Sequence, residues 1–75
     1  MDEKSILKSF GNNLRAERNR LGLSQDGLAN LMGICAGKHI GNIERGITNP
    51  KLTTIVAMLK SMNINFEKLY EIDNV

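Results

Sequence analysis

The sequence holds a single cysteine, Cys35, which excludes an intrachain disulfide and fits a reducing, cytoplasmic setting. Histidine is as scarce. His39 stands four residues after Cys35, and two ligands are fewer than a structural zinc site takes, so no metal is expected. No apolar run approaches the ~20 residues that span a bilayer. The charged start, Met1-Asp2-Glu3-Lys4, also lacks the apolar segment of a secretory signal, so no membrane partner is expected. Missing too are a glycine-rich phosphate loop, a nucleophile beside a base and a cluster of carboxylates. The chain therefore does not read as an enzyme, and no cofactor is expected. There is no repeat, low-complexity run or linker. Residues 1–75 read as one domain, short enough that its core must be thin.

What is present is an uneven charge. The formal net charge is +2, yet between Lys4 and Lys60 nine lysines and arginines face only Glu17, Asp26 and Glu44. Acids gather at the two ends. A basic body with acidic ends suits a polyanionic partner, although an ordinary solvated surface is the plainer reading of charge alone.

Apolar spacing predicts an all-α domain of five short helices, with low contact order and fast folding. Ser5 is a candidate cap for a first helix reaching about Leu21, with Leu7, Phe10, Leu14 and Leu21 near one face and Gly22 ending it. Ser24 is a good N-cap for a second helix from about Gln25 to Met32. There Leu28 and Leu31 form a stripe with Ala29 beside them, and Gly33 supplies the backbone freedom to stop. A third helix is predicted over about Gly37 to Arg45, with Ile40 and Ile43 inward, followed by the loop Gly46-Ile47-Thr48-Asn49-Pro50. The fourth runs from about Leu52 to Ser61, placing Leu52, Ile55, Val56, Leu59 and Met62 toward the core until Asn63. Asn65 caps a last short helix carrying Phe66, Leu69 and Tyr70. Met32, Met58 and Met62 read as core or interface filler.

Two short helices joined across a glycine, the second with polar residues outward, outline a helix-turn-helix over about 24–45. The stretches Ser24-Gln25-x-x-Leu28-Ala29, Gly33-Ile34, Ile40-x-x-Ile43-Glu44-Arg45-Gly46 and Asn49-Pro50 resemble the Cro/repressor-like (XRE-type) helix-turn-helix family, with similarity from roughly Phe10 to Tyr70. The resemblance implies a sequence-specific transcriptional regulator of double-stranded DNA, its third helix in the major groove. By similarity, Gly37, Lys38 and Asn42 match positions that reach base edges, with His39 on the same face. Lys38 can donate to guanine O6 or N7, and Asn42 can pair with adenine or bond a phosphate. Gln25 either bonds a phosphate or braces the recognition helix. Ser24, Gly41, Arg45, Asn49 and Lys51 are further phosphate candidates, with Arg15 and Asn13 weaker ones. Glu44 and Arg18 resemble the family's paired charges, linking the third helix to the first.

Two features depart from the family. Gly37 and Gly41 each cost about 1 kcal/mol in a helix relative to alanine, explained either by close approach to DNA or by a loose helix that orders on binding. From Gln25 to Glu44 is also one residue longer than the family's usual count, with the extra residue around Gly33 to Gly37. The apolar Phe66, Leu69, Tyr70 and Ile72 exceed what one final helix can easily bury, which predicts a homodimer centred there. Such dimers read palindromic operators, and the fifth helix resembles those of restriction–modification controllers more than phage regulators. Two rival readings stand beside this: an antitoxin-like protein that mainly holds a protein partner, and a helical module that has lost DNA binding.

Overall fold

The structure, a computed structural model, describes residues 2–70. The described residues form α1 (Glu3–Arg20), α2 (Gln25–Met32), α3 (Gly37–Glu44), α4 (Leu52–Met62) and α5 (Glu67–Tyr70), with no strand among them. Helix α2 packs on α3 and α4, while α1 packs on α3 and α5. Between them lies a core of Phe10, Leu14, Leu28, Ala29, Met32, Ile40, Ile43, Met58, Met62 and Leu69.

Helix ends follow local chemistry. Asp2, not Ser5, caps α1: its Oδ1 accepts from the Ser5 N–H at 2.7 Å. That start puts Glu3 in the first turn, where a negative charge faces the positive end of the helix dipole. The Ser5 backbone holds the Asp2 carboxyl below its usual range. Ser24 caps α2, accepting from the Gly27 N–H at 2.9 Å. At the end of α3, Gly46 takes φ 75°, the Gly46 N–H reaches the Ile43 carbonyl and the Ile47 N–H reaches that of Asn42, both at 3.0 Å. This double closure needs a left-handed residue, which glycine supplies without strain. Asn63 makes the equivalent turn after α4 at φ 53°.

The expected core faces need two corrections. On α2 the inward residues are Leu28, Ala29 and Met32, while Leu31 is 59% exposed. On α4, Thr54, Met58 and Met62 turn inward at four-residue spacing, flanked by Ile55 and Leu59. Leu52 and Val56, expected inside, lie outward at 74% and 41% exposure. Helix α4 is apolar on nearly every side, so spacing alone does not select its buried face.

Candidate nucleic-acid interface

Helix α3 uses five of its eight positions for packing: Gly37, Ile40, Gly41, Ile43 and Glu44 are buried. Lys38 and the capping residue Arg45 are exposed, with His39 and Asn42 half-buried. Lys38, Asn42 and Arg45 stand at i, i+4 and i+7, so they form one outward stripe. Arg45 Nη2 donates to Asn42 Oδ1 at 2.5 Å.

Gly37 faces Asp26 of α2, and Gly41 lies between Gln25 of α2 and the Arg45 guanidinium. A Cβ on Gly37 would overlap the Asp26 carboxylate and come within 3.0 Å of the Asp26 backbone nitrogen. A Cβ on Gly41 would meet Gln25 Oε1 at 3.1 Å and Arg45 Nη1 at 3.3 Å. Close packing on Asp26 accounts for Gly37, while Gly41 sits against the Gln25 and Arg45 side chains; both are buried inside the protein, against the expectation that Gly37 reads bases and Gly41 meets a phosphate.

The inner end of α3 is anchored by a charged network. Glu44, with its side chain fully buried, accepts from Arg18 Nε at 2.6 Å and Arg18 Nη2 at 3.0 Å. Gln25 Nε2 adds a third bond at 3.2 Å and Arg15 Nε lies at 3.5 Å. Arg18 also donates to the Leu23 carbonyl at 2.8 Å and to Asn19 Oδ1 at 3.2 Å, so α1, the α1–α2 loop, α2 and α3 meet at one point. Burial pushes the Glu44 carboxyl up, but the bonds from Arg18 and Gln25 outweigh it and hold the group below the usual range. The same pairing raises the Arg18 guanidinium. Through this bond Gln25 ties α2 to the end of α3.

The remaining candidates group around this helix. His39, Asn49 and Lys51 line one depression of about 290 Å³ with Ile34, Cys35 and Thr48, which brings the loop after α3 beside its exposed face. Cys35 packs against the core, and burial pushes its thiol up. Among the described residues no group of three or more His, Cys, Asp or Glu side chains could hold a metal ion. Ser24 is exposed with its hydroxyl engaged as a cap. Asn13 donates to the Leu69 carbonyl at 3.0 Å, tying α1 to α5. Lys4 and Lys8 were not among the expected residues, yet they line a larger depression with Arg45 and Ile47. Their i, i+4 spacing on α1 was the available signal.

At the C-terminal side, Phe66 and Tyr70 stack at 5.2 Å between ring centroids and are 49% and 54% exposed. They border a shallow apolar groove of about 250 Å³ with Ile6, Leu7, Pro50 and Ile55. Leu69, expected at a dimer interface, is instead fully buried in its own core, because its position on α5 faces α1. Ile72 lies outside the described residues.

Two packed helices across a tight turn, the second buried on one side and polar on the other, define a helix-turn-helix DNA-binding domain of the kind found in transcriptional regulators. The chain belongs to the helix-turn-helix family, whose model matches residues 14–69. It is 38% identical over 69 residues to the control protein C.SmaI of Serratia marcescens, covering 92% of this chain and 77% of that protein. Its structure is similar to that of the restriction-modification controller protein C.AhdI from Aeromonas hydrophila, with TM-score 0.87, 34% identity, and coverage of 93% of this chain and all of that one. A transcriptional regulator from Vibrio cholerae superposes with TM-score 0.84 at 26% identity, over 93% of this chain and 39% of its own. No described helix is long and apolar enough to cross a membrane.

Proposed function

We propose that the protein is a controller of restriction–modification gene expression, acting in the cytoplasm as a homodimer on a palindromic DNA operator and without catalytic activity of its own. The observation that carries this reading is the outward stripe of Lys38, Asn42 and Arg45 on a helix locked from behind by Glu44. A stripe held that rigidly can present side chains to base edges in the major groove. His39 stands beside it with Lys51 and Asn49, which flank the stripe as phosphate contacts, and Arg45 at its end is a further one. The similarity to two control proteins over more than nine-tenths of the chain supports the biological assignment. The exposed Phe66–Tyr70 stack and the groove beside it supply a self-complementary face for a two-fold dimer. Such a dimer places its two α3 helices about one helical turn of DNA apart.

Selection from randomised duplexes with the purified protein tests the function. A two-fold symmetric motif enriched at moderate salt is the expected result, with specific sites bound about 10³-fold or more above random sequence. Enrichment of no motif removes the proposal.

A further inference from the structure

Asn42 and Arg45 sit one turn apart on the outward stripe, and Arg45 Nη2 donates to Asn42 Oδ1 at 2.5 Å. A guanidinium carries only donors, so the Asn42 amide turns its oxygen toward Arg45 and leaves its NH2 group for whatever lies beyond. Gly41 forms the floor of this arrangement. A Cβ there would stand 3.3 Å from Arg45 Nη1, so the guanidinium lies close against the helix surface at the glycine.

The chemical consequence concerns which base Asn42 reads. A free asparagine offers a donor and an acceptor together, the pair that matches N7 and N6 of adenine. With Arg45 on its oxygen, Asn42 offers donors, and a cationic fork beside that oxygen repels the amino hydrogen adenine would bring to it. Guanine presents two acceptors, N7 and O6, and thymine presents O4. Adenine couples its N7 with an amino group and cytosine presents only an amino group, and in each that group must approach an oxygen already facing a cation. We infer that Arg45 is a specificity-determining positioning residue, which by holding Asn42 Oδ1 sets Asn42 to prefer guanine, then thymine, over adenine. This rests on the proposed placement of α3 in the major groove.

The test is randomised-site selection with the full chain and two variants, Asn42→Ala and Arg45→Met. Both positions lie on the solvent side of α3, so neither change opens the core. Asn42→Ala identifies the base pair that Asn42 reads as the one whose preference flattens. In the wild type that position should carry guanine or thymine. In Arg45→Met, where the amide is released, adenine should rise there by about 10-fold relative to guanine, on top of any uniform loss from the missing charge. The within-position ratio separates orientation from simple phosphate attraction. Adenine at that position in the wild type overturns the inference while leaving the groove placement intact. An unchanged ratio in Arg45→Met overturns it as well. If Asn42→Ala flattens no position although a motif is still selected, the groove placement of Asn42 falls, and the inference with it.

Discussion

Removing Glu44 while keeping Arg18 is the sharpest probe of what holds α3 in place. In Glu44→Leu the shape of the side chain is roughly kept, but Arg18, itself 9% exposed, loses both bonds to its partner. Stranding one member of a buried pair costs about 3–5 kcal/mol. A domain of 75 residues has a total stability of about 4–11 kcal/mol, so the loss is about a quarter of the whole or more. With a urea slope of about 1 kcal/mol per molar for so small a chain, the midpoint should fall by about 3–5 M. Helical circular dichroism during urea titration reads this directly. The double variant Arg18→Met with Glu44→Leu replaces the pair by apolar side chains and should recover most of the loss, since such replacements are often neutral. Gln25 and Arg15 can turn to water in either variant, because neither is fully buried. A loss below about 1 kcal/mol in Glu44→Leu, or a double variant that simply sums its two singles, would refute the view that the pair clamps the recognition helix.

Acid should act through the same group. A carboxyl held below its ordinary value stabilises the fold above about pH 4.3 and loses that contribution as pH falls through its folded value. Urea midpoints at pH 7 and pH 3 should therefore diverge more in the wild type than in the Arg18→Met, Glu44→Leu double variant. Lys38→Ala should relax preference at one base pair by about 1–3 kcal/mol, whereas Lys51→Ala should weaken all sequences alike and make the salt slope shallower by about one unit. Titrations of operator and scrambled duplexes across salt distinguish the two; uniform losses from both would place the reading face elsewhere. Tyr70→Glu should give a folded monomer by sedimentation because the ring is half exposed, while Leu69→Glu should unfold the chain because Leu69 is fully buried. A Tyr70→Glu protein that stays dimeric removes α5 from the interface.

What could be read from the residues was whatever is decided within a few positions along the chain. Ser24 with the Gly27 amide, and Gly46 after Ile43, are closures between near neighbours, so their chemistry is visible in one dimension. The Arg18–Glu44 pair was reached through the family resemblance, but its extension to Gln25 and Arg15 depends on how three helices converge. Gly37 was misread for the same reason. Its partner, Asp26, is on another helix, and a glycine answering to a close approach looks like any other glycine until that approach is known. The face of α4 escaped because apolar residues nearly encircle it, and Leu69 because a four-residue helix carries too little sequence to reveal which apolar side chain turns in.

Gly11 sets two physical effects of opposite sign against each other. It lies within α1, where glycine costs about 1 kcal/mol relative to alanine, so helix propensity alone predicts that Gly11→Ala stabilises the protein. The structure predicts the reverse. A Cβ at this position would overlap the carbonyl oxygens of Ile43 and Glu44, and these are backbone atoms that no rotamer change can move aside. Accepting the methyl group means separating α1 from the end of α3, and that separation also stretches the Arg18–Glu44 bonds just beside it. Overpacking of this kind costs about 1–3 kcal/mol before any such stretching is counted. Gly11→Ala should therefore lower the urea midpoint and weaken operator binding beyond what the loss of folded protein explains, because α3 is displaced at its anchored end. A midpoint at or above that of the wild type would mean that α1 and α3 can part without cost, and that the recognition helix is not held by this contact.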